Sequence, residues 1–470
     1  MKREALLVKN TAIIALGTFS PKILATISLP IVTARLTKTE FGTYDLINIL
    51  ESLFLPLITL QVQTAAFRFL IECRKDRNRQ KTIVTTMLCF VCSTSLVALV
   101  VMILCLHGIS IGIRILICTY FYIYIILNAL QQIARGLSLN LIYSMSTILS
   151  SVINVLLIIV CVQYKGLGLM GILIALVVAN IVSVMFIFFK GKFYSFIDFH
   201  FIRKESLFQM LKYSWPMIPN SLSMWAMNLS DRLVLSVALG LEAVAVYAVA
   251  NKIPSLFTVV QSTFTLAWQE NASMASGDAD AEEYYSHMFD IIFCLMIGVM
   301  SILIAVTPIL FFLLIRGDYS EAYDQMPILF MGIFFSCISS YLGGIYVAEK
   351  RTKNVGITTI IASALNLLLD IILIHFIGIY AASISTLVSF VFLMLYRMFD
   401  VQRFKTISFK WKKVISTIGI LVVMCAVCIF QSFLLDVLNI FIAICLSISL
   451  NYPLLKNIWH MVVQGIKIKD

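Results

Sequence analysis

Within the apolar run "WAMNLSDRLVLS" (Trp225–Ser236) an acid and a base stand side by side, Asp231 and Arg232. A charge at the centre of a bilayer costs about 2.5–3.5 kcal/mol on insertion scales, so such residues point to a wet cavity, an ion path or a fixed pair. Lys22, Arg35, Glu51, Arg68, Lys252 and Asp370 sit in comparably apolar surroundings. The bases Lys22, Arg35, Arg68, Arg232 and Lys252 outnumber the acids Glu51 and Asp231 in the segments that carry them. A cavity so lined holds a positive field and favours an anionic passenger. Glu51, Asp231 and Asp370 read as charge partners or as groups that couple a proton or sodium ion. For Asp231 the expected partner is a base. Asp370 equally suits a buried carboxylate hydrogen-bonded to Asn366. Neighbours on a helix point about a third of a turn apart, so Asp231 and Arg232 cannot both point straight into one site. Arg35 and Arg68 lie near helix ends, where long basic side chains also reach the interface. The amides Gln61, Gln63 and Asn228, with the rings of Trp225, Tyr247 and Trp268, suit sugars by hydrogen bonding and stacking, or equally tie helices together.

The elements that hold these residues are membrane helices. Of the 470 residues 61% are hydrophobic and 13% charged, and the apolar ones come in long blocks such as "LMGILIALVVANIVSVMFIFF" (Leu169–Phe189), apolar on every side. Transmembrane strands would alternate over roughly ten residues; blocks of this kind predict an all-α polytopic membrane protein. Fourteen spans are expected, at about 11–35, 46–70, 82–106, 114–134, 142–163, 169–189, 213–237, 243–266, 287–315, 326–348, 355–377, 379–399, 414–433 and 437–456. The first block, from about Thr11, contains Pro21, Lys22 and Pro30 with no small-residue cleavage site, and is expected to be a retained helix. The net charge of +11 falls mainly in alternate connections, about 26 of the 35 Lys and Arg lying on the side of the N-terminus. That asymmetry is the positive-inside pattern, places both termini in the cytoplasm, and argues against nucleic acid as the partner. The eleven cysteines, among them Cys89, Cys92, Cys105 and Cys118, fall mainly inside apolar spans and read as small packing residues rather than as a disulfide or metal framework. His107, His200, His287, His375 and His460 lack ligand spacing, so no metal site is expected.

Two six-helix bundles are expected, at 1–189 and 213–399. Between them lies an amphipathic cytoplasmic linker, 190–212, whose Phe193, Phe196, Phe199 and Phe201 are available to the interface. After a basic loop at 400–413, the segment 414–470 supplies an accessory hairpin and a tail. "LTKTEFGTYDLINI" from Leu36 and "LGLEAVAVYAVANK" from Leu239 align Tyr44 with Tyr247 and Asn48 with Asn251; a second pair aligns Asn154 with Asn366 and Gly166 with Gly378. A duplication of six crossings keeps the polarity of both halves and implies a pseudo-two-fold axis along the membrane normal. Pro21, Pro30, Pro216, Pro219 and Pro254 interrupt spans 1, 7 and 8 and suggest helices that bend.

The stretches "RLTKTEFGTYDL" (Arg35–Leu46), "LQVQTAAFRF" (Leu60–Phe69), "FTLAWQE" (Phe264–Glu270) and above all Pro216–Ile253 resemble the polysaccharide-exporter, O-antigen flippase (Wzx-type) branch of the multidrug/oligosaccharidyl-lipid/polysaccharide superfamily. The resemblance covers roughly the first 400 residues. It implies a flippase, not an enzyme, that moves an undecaprenyl-pyrophosphate-linked oligosaccharide from the cytoplasmic to the outer leaflet of a bacterial inner membrane by alternating access. The implied partners are that lipid-linked oligosaccharide and membrane lipid, with a polysaccharide polymerase and chain-length proteins downstream. No cofactor is implied beyond a coupling proton or sodium ion. Ala245, where the second half matches Gly42, departs from the first-half pattern at a turn. A multidrug or cation antiporter of the same superfamily is the rival reading, and it would want an acidic cavity. A membrane-embedded glycan polymerase or ligase would need a larger outer loop than "RGDYSEAYDQM", about ten residues.

Overall fold

The computed structural model describes the backbone of residues 2–73 and 76–467 and the side chains of residues 17, 19–73, 76–265, 267–452 and 456. The side chains of Thr11 and His460, and the tail after residue 467, lie outside the described residues. The chain forms two units, Met1–Trp225 and Ala226–Asp470. Unit 1 contains α1 (Lys2–Arg35), α2 (Lys38–Thr59), α3 (Val62–Glu72), α4 (Arg77–Cys105), α5 (Ile111–Gly136) and α6 (Asn140–Ile158), continued by a π-helical turn over Ile159–Tyr164. It goes on with α7 (Gly168–Lys190) and, after two short 3-10 turns, α8 (Lys204–Ser214). Helix α9 (Met217–Ala238) runs into unit 2, which holds α10 (Leu241–Ala275), α11 (Ala281–Leu314), α12 (Ser320–Ala348), α13 (Thr352–Ile377), α14 (Tyr380–Val401), α15 (Trp411–Ile429) and α16 (Phe433–Lys467).

The described residues contain no strand, in keeping with a medium where each backbone donor needs a partner within its own segment. Twelve helices among the described residues are long and apolar enough to cross a membrane. The two other long helices, α1 and α9, fall on the first and seventh expected spans, and α9 is diluted by Asn220, Ser221, Ser223, Asn228, Ser230, Asp231 and Arg232.

Two expected spans are broken differently from the sequence reading. The second, 46–70, is not one helix. The chain turns at Leu60 and Gln61, both left-handed (φ 48° and 58°), four residues after Pro56 has removed a backbone donor from the last turn of α2. The seventh, 213–237, is interrupted at Trp215–Pro216, between α8 and α9. Helix α1, by contrast, stays continuous through Pro21 and Pro30, and α10 through Pro254.

Connections of like parity meet. In unit 1, Arg77 donates to Ser195 Oγ (2.8 Å) and Thr85 to the Phe196 carbonyl (3.0 Å), joining the second connection to the sixth. Arg35 donates to Gln163 (2.9 Å) and the Leu169 amide to Glu40 (3.1 Å), joining the first to the fifth. Unit 2 repeats the rule: Tyr285 donates to Glu349 (3.1 Å), Lys405 pairs with Glu349 (3.6 Å), and Lys410 and Lys413 both hold Asp290 (2.9 and 2.8 Å). Helices that cross in alternate directions produce this sorting. The pairings α3·α5, α4·α5, α5·α7 and α6·α7 of unit 1 recur in chain order as α10·α12, α11·α12, α12·α14 and α13·α14 in unit 2.

Helices α15 and α16 are built into unit 2. Asn451 donates to the Cys294 carbonyl (3.1 Å) and Ser447 to that of Gly298 (3.1 Å), so α16 docks on α11 through polar contacts as well as apolar ones. Gly344 makes another close approach: a Cβ there would meet Trp268 Cδ1 and Nε1 at 2.5 Å. Overpacking of this kind costs about 1–3 kcal/mol. Gly344→Ala is therefore expected to lower the thermal unfolding temperature of the purified protein, and an unchanged melting curve would show that the contact relaxes freely.

Candidate functional site

Asp231 and Arg232, about a third of a turn apart on α9, border the same cavity but take different partners. Asp231 is turned inward, 3% exposed, and its carboxylate is saturated with donors. Tyr247 Oη and Thr386 Oγ1 each donate to Oδ2 at 2.7 Å. The Asn366 amide, oriented with its nitrogen toward the carboxylate, donates to Oδ1 at 2.9 Å and accepts from the Thr386 backbone N–H at 3.2 Å. Where the sequence suggested a base, the structure supplies hydroxyl and amide donors from α10, α13 and α14. The Asn366 amide was expected on Asp370; it serves Asp231 instead. Asp370 accepts from Ser385 Oγ at 2.6 Å, its Oδ2 has no hydrogen-bond partner among the described residues, and its carboxyl lies within hydrogen-bonding reach of Asp231. Two carboxyl groups so close, both nearly inaccessible, form a place for a positive charge.

Arg232 borders, with Asp231, a cavity of about 310 Å³ whose lining also includes Asn228, Tyr247, Asn251, Lys252 and Ser255. That volume is in the range of small-molecule sites. The Arg232 guanidinium carbon stands 5.8 Å from the Tyr247 ring centroid, a cation–π distance. Tyr247 thus touches the base with its face and the acid with its hydroxyl. Thr258, Ser336 and Thr386 add hydroxyls to the lining, so two bases are accompanied by neutral hydrogen-bonding groups, and Asp231 is the acid of the lining.

Of the residues singled out from sequence, the structure gathers Asn228, Asp231, Arg232, Tyr247 and Lys252 around this cavity, with Asp370 behind Asp231. Trp268 does not join them. It is 3% exposed, stacked on Tyr341 at 4.4 Å, and donates to the Tyr341 carbonyl (2.8 Å), which leaves no ring face for a sugar. The rest belong to unit 1. Lys22 is exposed on α1 and Arg35 ends that helix. Arg68 pairs with Glu72 at 3.4 Å on an exposed face of α3. Glu51 accepts hydrogen bonds from the hydroxyls of Tyr120 and Tyr124. Gln61 donates to Ser221 Oγ (3.0 Å) and accepts from Thr64 (2.7 Å), Gln63 is 2% exposed, and the Trp225 indole donates to the Ile49 carbonyl (3.1 Å). Among the described residues there is no cluster of three or more His, Cys, Asp or Glu able to hold a metal ion.

Sequence reasoning missed Thr386, Ser385 and Ser336. The run "SIST" (Ser383–Thr386) was the available signal, since Ser383 and Ser385 are wholly buried and Ser383 donates to Gln325 (2.9 Å). The repeat also shows that the acidic site belongs to one half. At the register that matches Asn154 with Asn366, Ile158 stands where α13 has Asp370.

The described residues thus form an all-α chain of two helical units, the second of which holds a buried carboxyl pair beside a basic cavity. A family model described as polysaccharide biosynthesis protein matches residues 7–269, and one described as MatE matches residues 216–372. The chain belongs to the polysaccharide biosynthesis protein family, within the multidrug/oligosaccharidyl-lipid/polysaccharide superfamily. No curated protein matches the sequence. Among solved structures, the lipid II flippase MurJ in an inward closed conformation is similar with a TM-score of 0.73 at 16% identity, over 95% of this chain and 99% of that one. An inward-facing multidrug resistance MATE family transporter is similar at 0.63 and 16% identity, over 83% and 95%. A superfamily transporter from Pyrococcus furiosus Vc1, described as having a binding pocket of reverse polarity, is similar at 0.56 and 16%, over 84% and 95%. At these identities the likeness is one of fold.

Proposed function

We propose that the protein is a flippase that carries an undecaprenyl-pyrophosphate-linked oligosaccharide, a surface-polysaccharide repeat unit of the O-antigen kind, from the cytoplasmic to the outer leaflet of a bacterial inner membrane by alternating access. Membership of the polysaccharide biosynthesis family supports it, and the observation that carries it is the cavity in which Arg232 and Lys252 stand among Asn228, Asn251 and hydroxyl groups. Guanidinium and ammonium groups bind phosphate oxygens with charge-assisted hydrogen bonds, while amides and hydroxyls suit a sugar. In this reading both termini are cytoplasmic, and a polysaccharide polymerase and chain-length proteins act on the flipped unit.

We further propose that a proton or a sodium ion couples the cycle at Asp231 and Asp370. The donor set suits either: two carboxyl groups and the Thr386 hydroxyl are hard oxygen donors, and one oxygen of Asp370 has no hydrogen-bond partner among the described residues. A bound cation supplies the charge that lets two buried carboxyl groups stay in contact. The MatE match over residues 216–372 and this acidic pair favour, as a second reading, a multidrug or cation antiporter.

The test is depletion of the protein in its native host, followed by extraction of lipid-linked oligosaccharide. Accumulation on the cytoplasmic side, relieved by re-expression, is the expected result. Normal lipid-linked oligosaccharide with altered drug sensitivity would select the antiporter reading.

A further inference from the structure

The start of α4 reads "RNRQK", Arg77–Lys81, with no acid in its first turn beyond the capping Asp76. Bases at a helix N-terminus stand against the helix dipole, so the sequence gives up stability there and concentrates positive potential. The linker folds over this end. Phe193 and Phe196 are buried, Phe201 lies under Lys81 (5.3 Å), and of these and Phe199 only Phe199 is exposed, which corrects the expectation that all four are available to the interface. The Asp198 amide donates to Thr85 Oγ1 (3.1 Å) and the Arg203 amide to Thr86 Oγ1 (3.2 Å), pinning the linker along α4.

This arrangement leaves a pocket of about 200 Å³ with Arg79, Thr82, Arg203, Ser206 and Gln209 in its wall. Among the described residues neither guanidinium has a hydrogen-bond or ion-pair partner. Glu205 is the acid of the lining; it sits in the first turn of α8, where a carboxylate is favoured by the dipole, and leaves the pocket with a surplus of one positive charge. The adjoining face of α8 is apolar apart from Lys212. Phe208 and Trp215 are 69% and 65% exposed and border, with Leu60 and Leu211, a second cavity of about 380 Å³. A helix with an apolar face of this kind lies in the membrane interface, where anionic headgroups gather around bases.

We propose that Arg79 and Arg203 bind the phosphate of an anionic phospholipid, whose acyl chains continue along the apolar side of α8. Phosphate is the shared chemistry of a lipid headgroup and a free anion; the exposed aromatic face adjoining the pocket favours the lipid. Thr82, Ser206 and Gln209 would complete the set of donors, and the lipid would fasten the linker to the membrane surface. The inference is independent of what the transporter carries.

Native mass spectrometry of the detergent-purified protein, titrated with phosphatidylglycerol or phosphatidylcholine, tests it. The wild type is expected to retain phosphatidylglycerol at least tenfold more tightly than phosphatidylcholine. The R79Q/R203Q double variant is expected to lose that preference, each single variant to lose part of it, and K412Q, an exposed base of unit 2, to keep it. Millimolar inorganic phosphate is expected to leave the lipid bound. Equal retention of the two lipids by the wild type, unchanged preference in R79Q and R203Q, or displacement of the lipid by phosphate would each overturn the proposal.

Discussion

Arg232→Ala is expected to abolish export of the lipid-linked unit while leaving the protein folded and abundant in the membrane. The side chain lines the cavity beside Lys252, and the neighbouring Asp231 draws its hydrogen bonds from Tyr247, Thr386 and Asn366. Removing the guanidinium therefore strips a cation from the cavity without unpicking that network. Truncating one partner of a close, desolvated charge pair costs about 2–5 kcal/mol, a loss of roughly thirtyfold or more in substrate engagement. Arg232→Lys keeps the charge but not the planar fork, and should fall between wild type and alanine. Transport rates normalised to membrane protein, measured beside a thermal melt, check both parts. Undiminished transport by R232A would remove Arg232 from the site.

The two aspartates should separate by the kind of damage they do. Asp231→Ala leaves the Tyr247 hydroxyl, the Thr386 hydroxyl and the Asn366 amide without their acceptor. Each buried polar group so stranded costs about 1–3 kcal/mol, enough together to threaten unit 2. Asp370→Asn keeps shape and can still accept from Ser385, so the fold should survive. What it loses is one of two carboxyl groups able to hold a coupling cation. The expected result is transport at least tenfold slower and no longer responsive to the proton or sodium gradient that drives the wild type. A D370N protein that still follows the gradient would place coupling elsewhere. Gradient-jump assays in proteoliposomes, run alongside melts of both variants, distinguish the two effects.

How much of this was legible in the sequence depended on what each residue is made of. The long helices follow from apolar blocks, because a bilayer permits little else. Asn228, Asp231, Arg232, Tyr247 and Lys252 drew notice as polar or charged groups in such blocks, and the structure sets them around one cavity. Thr386 and Ser385 escaped notice because hydroxyls are common in membrane helices and often bond their own backbone; Ser385 also donates to the Ala382 carbonyl. The fate of Trp268 rested on Gly344 and Tyr341, remote in sequence and close only once α10 packs on α12. The turn at Leu60–Gln61 carries neither glycine nor proline at the turn itself, and only Pro56 upstream hints at it. The linker misled in the opposite sense: Phe193, Phe196, Phe199 and Phe201 look alike in sequence, yet Phe193 and Phe196 are buried and Phe201 is partly covered.

The measurement closest to the central claim is leaflet-to-leaflet movement of an undecaprenyl-pyrophosphate-linked oligosaccharide in proteoliposomes holding the purified protein. Movement that depends on the wild type and is lost in R232A is the predicted result. A lipid-linked oligosaccharide that stays in its leaflet with wild-type protein present, while a cationic drug crosses in exchange for protons, would contradict the flippase and leave an antiporter in its place.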